Sequence, residues 1–192
     1  MKYPLISLLL LIVSPLANAA PEVYTIDNTH SFANFTIRHV VSKASGTFPD
    51  IQGKIIIDRD DLAKSSVNAV INVASVNTGY AKRDQHLLEK PDYLEPGKFA
   101  QMTFVSTSVE ATGKESGILT GKLTLHGVTK EIRFPFKVLG FGADPWGGRR
   151  AGFEGKTSLK ASDFGFGWAA KPNGPIGDEI EVTLLIEGIK EK

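Results

Sequence analysis

A two-residue period constrains this chain more than any other feature. It is plainest near the C-terminus, where Ile180, Val182, Leu184 and Ile186 alternate with Glu179, Glu181, Thr183 and Glu187. Residues two apart share a face of a strand, so this segment has one apolar side and one wet side. The same alternation runs through Ala33, Phe35, Ile37, His39 and Val41, then through Val67, Ala69, Ile71 and Val73. It returns at Ile132, Phe134, Phe136 and Val138, and at Phe153, Gly155, Thr157 and Leu159. Turn signals separate these runs, among them Asp58-Arg59-Asp60-Asp61, Thr112-Gly113-Lys114 and His126-Gly127-Val128. Gly46–Phe48 and Gly53–Asp58 read as a strand pair or as one strand bent at Gly53. About eight to ten such segments make an all-β chain, either a sandwich or a closed antiparallel barrel.

Two observations favour the barrel. Ser65–Asn77 reads as one long strand, roughly 43 Å at about 3.3 Å per residue. Tilted near 40°, strands of that length make a barrel on the order of 33 Å tall. Several positions of inward parity are small (Ala33, Ala69, Gly121 and Gly155), which suggests an interior with room for a ligand. Periodicity alone leaves an ordinary packed core equally open.

The period changes once, between Ala74 and Phe104. Tyr80, Leu87 and Leu88 fall on one helical face, with Arg83 and Asp84 beside them and His86 on its flank. The spacing predicts a helix over about 79–90, capped by Asn77 or Thr78 and closed by Pro91. Charges on the inward side of such a helix need partners. Asp84 and His86 lie two apart, about 200° around the helix, so they do not form a catalytic dyad. Arg83 and Asp84 are read instead as a structural anchor tying the helix to the β-framework.

Met1-Lys2, the apolar run Leu5–Val13 and Ala17-Asn18-Ala19 have the form of a cleaved export signal. The expected organisation is a signal peptide over 1–19 and one domain over 20–192, placed in the periplasm. Loss of Lys2 leaves 21 basic against 21 acidic residues, which gives no electrostatic footprint for nucleic acid. The chain has no cysteine, so thiolate chemistry and zinc–thiolate sites are excluded. His30, His39, His86 and His126 show no H-x-H or i, i+4 pairing, and no metal site or cofactor is expected. Asp163-Phe164-Gly165 copies a kinase triplet without the loops that would give it meaning.

Ser75-Val76-x-Thr78, Arg83-Asp84-x-His86-Leu87, Asp92-Tyr93-Leu94 and Met102-Thr103-Phe104 together resemble the signature of the YceI-like, polyisoprenoid-binding proteins of bacteria. Tyr24-x-Ile26-Asp27, His30-Ser31, Phe35-x-Ile37-x-His39 and Ser45-Gly46-x-Phe48 fit the N-terminal part of that family. Leu123–Lys130, Asp144-Pro145-Trp146-Gly147-Gly148-x-Arg150-Ala151-Gly152-Phe153 and Asp163–Gly165 fit its C-terminal part. The sequence departs from the family pattern at Phe99-Ala100, where Tyr-Pro is common, and at Tyr93-Leu94.

The resemblance implies a single antiparallel lipocalin-like β-barrel of about eight strands with one inserted helix. It implies a periplasmic binding or carrier protein, not an enzyme, holding a polyisoprenoid or other long-chain amphiphile. An inner-membrane partner would fit that role. Nucleic acid would not, and the oligomeric state stays open, a dimer included. Candidate ligand contacts are Phe35, Ile37, His39, Phe48, His86, Leu87, Phe104, Trp146, Phe153 and Phe164. The competing expectation is an enzyme or redox auxiliary acting on an isoprenoid lipid or quinone, with Arg83, Asp84 and His86 as its polar end.

Overall fold

A computed structural model describes residues 20–169, 171 and 173–192; the expected signal peptide lies outside them. The strands in chain order are β1 (Glu22–Ile26), β2 (Phe32–His39), β3 (Ser42–Phe48), β4 (Ile51–Ile57) and β5 (Ser66–Asn72). After the helix α1 (Ala81–Glu89) come β6 (Gln101–Gly113), β7 (Ser116–Leu125), β8 (Val128–Ala143), β9 (Arg149–Lys160) and β10 (Ile176–Lys190). From β4 to β10 each strand pairs antiparallel with its neighbour in sequence; the β6–β7, β7–β8 and β8–β9 links are short turns, while the β5–β6 link carries α1 and the β9–β10 link spans 161–175. The sheet closes because β1 pairs with β4 on one side and with the last residues of β10 on the other, as in Tyr24↔Lys190. The ring β1-β4-β5-β6-β7-β8-β9-β10 is a closed eight-stranded antiparallel barrel. The hairpin β2–β3 continues the wall beside the other part of β10, with Val182 opposite Phe35.

The expected alternation is present, with its apolar set inward. Ile55, Phe134, Val138 and Phe153 are buried on their strands while their sequence neighbours are exposed or half-buried. Closure removes the edges of the ring strands; β3 keeps an outer edge, bridged at Thr47↔Asn77.

Two expectations about the strands need correction. The long strand at 65–77 is shorter, because β5 ends at Asn72. There the Asn72 side-chain oxygen accepts from the Ala74 N–H and turns the chain into a 3-10 turn at Val73–Ser75. The barrel's height comes instead from β6, β8 and β10, which have 13, 16 and 15 residues. The bend lies at Pro49-Asp50, between β3 and β4, not at Gly53. Gly53 sits inside β4 at φ +147°, where a side chain would collide with the Asn68 carbonyl of β5. Its glycine permits close strand approach, not a bend.

Of the small inward residues, Ala33, Ala69 and Gly155 line the interior space, and Gly121 and Gly155 also make room for aromatic rings. A methyl group at Gly121 would strike the Phe104 ring, and one at Gly155 would crowd the Phe134 ring. These glycines seat aromatic rings flat against the wall, and the Phe104 and Phe134 centroids lie 5.7 Å apart.

An apolar bore and its lid

Inside the barrel is a cavity of about 330 Å³. That is at the small end of the range for ligand pockets, about 300–1,000 Å³. Every strand except β1 and β3 contributes more than its end to the lining, which is almost wholly hydrocarbon: Ile55, Ile71, Leu119, Leu123, Ile180 and Leu184 are typical. A space without hydrogen-bond partners does not hold water well, and only apolar matter gains by filling it.

One end of the bore is covered by α1 and the segments after it. Leu87 and Leu94 line the cavity, tied together by the Leu94 N–H donating to the Leu87 carbonyl at 3.0 Å. Tyr93 stacks on Trp168 at 6.4 Å, and Trp168 lies 5.6 Å from Phe166; all three rings face the cavity. Behind Phe166 is His126, its ring stacked at 4.5 Å and flanked on its other side by Phe99 at 4.3 Å. His126 Nδ1 donates to the Phe164 carbonyl at 3.2 Å, and its Nε2 lies 3.6 Å from Glu95. The Lys98 ammonium, donating to Glu95, holds that carboxyl below its ordinary range. A polar clamp outside the barrel therefore fixes the aromatic wall inside it.

The helix is held by the residues singled out from sequence, in a geometry that differs from expectation. Arg83 is exposed rather than inward, and Tyr80 is 58% exposed. Both charged side chains turn back to Thr78. Asp84 accepts from the Thr78 N–H at 2.9 Å and from its hydroxyl at 2.5 Å. Arg83 donates to the Thr78 hydroxyl and carbonyl, each at 2.7 Å. Neither Asn77 nor Thr78 caps the helix: its N-cap is Tyr80, without a side-chain bond, and Asn77 accepts from Gly79 instead. The anchor thus joins α1 to the segment that bridges β3 through Thr47↔Asn77.

Of the ten candidate contacts, Phe35, Ile37, Phe48, Leu87, Phe104 and Phe153 line the cavity. The other four stand away from it. His39 has the apolar parity of β2 but comes after the strand's last inward residue, and it is exposed. His86 is exposed and packs edge-on against Tyr93 at 5.0 Å, so it backs the lid. Trp146 is 83% exposed in the turn between β8 and β9. Phe164 is 2% exposed and packed in the 3-10 turn Ala161–Phe164 beneath the lid. Sequence reasoning underrated Tyr93, Leu94, Phe166 and Trp168. The signal available was the period-two spacing of Phe164, Phe166 and Trp168.

Asp27, His30 and Glu187 could together present ligands to a metal. Their carboxylates are already bridged by Arg150, which bonds Asp27, Glu187 and Asp144. Burial would raise the Asp27 carboxyl, but hydrogen bonds from Thr29, Arg150 and His30 hold it far below its ordinary value. This cluster works as an ion-pair clasp on the barrel wall.

A closed antiparallel barrel around an apolar bore, with one helix across an end, defines a lipocalin-like protein. The YceI-like domain model matches residues 24–188, and the chain belongs to that family. Protein YceI of Escherichia coli O157:H7 is 42% identical over 178 residues, covering 91% of each chain. The fold is shared with BcnA of Burkholderia cenocepacia, at TM-score 0.74 and 23% identity, over 84% of this chain and 98% of that one. It is shared too with a polyisoprenoid binding domain from Saccharophagus degradans, at TM-score 0.64 and 21% identity, over 88% and 98%.

Proposed function

We propose that this chain is an exported, periplasmic carrier that holds the hydrocarbon tail of a polyisoprenoid or related long-chain amphiphile in its bore. The observation that carries the reading is the chemistry of the lining. A wall that offers hydrocarbon along its length selects a ligand by shape and apolarity, with its polar group outside. Each methylene taken from water is worth about 0.8 kcal/mol before ordering costs, so a tail of a few isoprene units supplies ample driving force. The fold shared with the Saccharophagus domain supports the choice of a prenyl chain. The helix charges support binding over turnover, since Arg83 and Asp84 are both engaged with Thr78. An enzyme using them as its polar end would have to break that anchor.

Titration with prenyl alcohols of increasing length tests the reading. Affinity is expected to rise with each added unit and to level off once the tail fills the bore. Absence of uptake at every length would refute the carrier role. Turnover of a prenyl phosphate that disappears in a folded His86→Ala variant would favour the enzymatic alternative.

A further inference from the structure

The loop joining β2 to β3 is two residues long, Val40 and Val41, with His39 paired to Ser42. Val41 is 97% exposed and Val40 54% exposed. Val40 also holds φ +52°, a backbone region that turn chemistry gives to glycine or asparagine and that a β-branched residue resists. Nothing in the fold requires valine at either position. The tip is nevertheless held firmly. Val40 N–H donates to the Pro175 carbonyl at 2.6 Å, and Arg38 donates to the carbonyls of Val40 and Gly174 at 3.3 and 2.9 Å. Behind the two valines stand Arg38, His39, Lys43 and, in the adjoining loop, the exposed Lys171; Lys43 is paired with Glu181. The tip also stands at the rim of the bore. Ile37, on its own strand, and Ile176, across from His39, both line the cavity.

We propose that the Val40–Val41 tip is a membrane-docking point, which sets the lid end of the barrel against a lipid bilayer surface. This rests on the carrier reading: a water-insoluble tail must pass between bilayer and bore without crossing solvent. Apolar residues projecting ahead of a basic collar match the layering of a bilayer interface, with acyl chains beneath anionic headgroups. A second protein is a poorer occupant, because two valines fall far short of the roughly 800 Å² per partner of a stable interface.

The test is co-sedimentation of the lipid-free protein with vesicles of phosphatidylethanolamine and a minority of phosphatidylglycerol. Val40→Gly/Val41→Asn gives the turn residues that suit its backbone, so the melting temperature should stay level or rise. Its vesicle affinity should fall roughly tenfold, the scale expected for losing two partly inserted valines. The single change Val41→Ser at the fully exposed position should show the same direction. Trp146→Ser, at the opposite end of the barrel, should bind vesicles like the wild type. The inference is overturned if the wild type does not co-sediment, if the tip variants bind equally well, or if Trp146→Ser alone abolishes binding. Uptake of a prenyl alcohol from detergent micelles, measured alongside, reports on the carrier reading separately. The tip variants should match the wild type there, and a wild type that takes up nothing fails that reading while the vesicle result still stands.

Discussion

At the scale of single residues, the structure depends on side chains spent on backbone geometry and charge closure. Arg150 of β9 binds Glu187 on neighbouring β10 and Asp27 just after β1, far away in sequence. Arg150→Ala would leave the nearly buried Asp27 carboxylate without its cation, at a cost of about 3 kcal/mol in urea unfolding. The depressed Asp27 pKa also fixes a direction with pH. The group is ionised in the fold, so its contribution is present above the unfolded value near 3.8 and is lost as pH falls through the lower folded value. Asp27→Asn should therefore be less stable at neutral pH and should lose less stability than the wild type between about pH 5 and pH 2. Parallel acid-unfolding curves would contradict this. At Gly121 the prediction is steric. Gly121→Ala should destabilise by about 1–3 kcal/mol, and Phe104→Leu should recover part of that in the double variant, because the two share one contact.

At the scale of elements, α1 is a lid held by an anchor rather than by burial, since none of its residues is fully buried. Asp84→Asn weakens the bonds to Thr78. Hydrogen exchange in α1 should then quicken while global unfolding of the barrel changes by less than about 1 kcal/mol, because the helix can open as a local unit. Equal loss of protection in α1 and in β10 would show that the lid and barrel are one cooperative body. This element also shows what a sequence can carry. The alternation in β10 and the switch to a helical period at Leu87 are local patterns, and both were legible. The inward positions of Phe35, Ile37 and Phe153 followed from parity. Parity failed where strands end: His39 keeps the apolar register of β2 but lies beyond the bore, and Asn72 uses its amide to stop β5. It also had no access to pairings set by closure, such as Arg150 with Asp27 or His126 with Phe164. Those partners meet only after the ring is complete.

At the scale of the molecule, the barrel's walls are strong enough to enclose unfilled space. The ring is closed by its first and last strands, so the interior does not need to be packed solid to resist edge pairing. Ala69 faces the cavity from β5. Ala69→Phe should fold with a stability change below about 1 kcal/mol and should block uptake of prenyl alcohols, whereas a packed interior would lose about 1–3 kcal/mol on the same change. The most direct test is native mass spectrometry of the protein isolated from its own cells without detergent. A mass increment matching a long-chain lipid, released on unfolding, is the expected result; apoprotein that also refuses added prenyl chains would contradict the account.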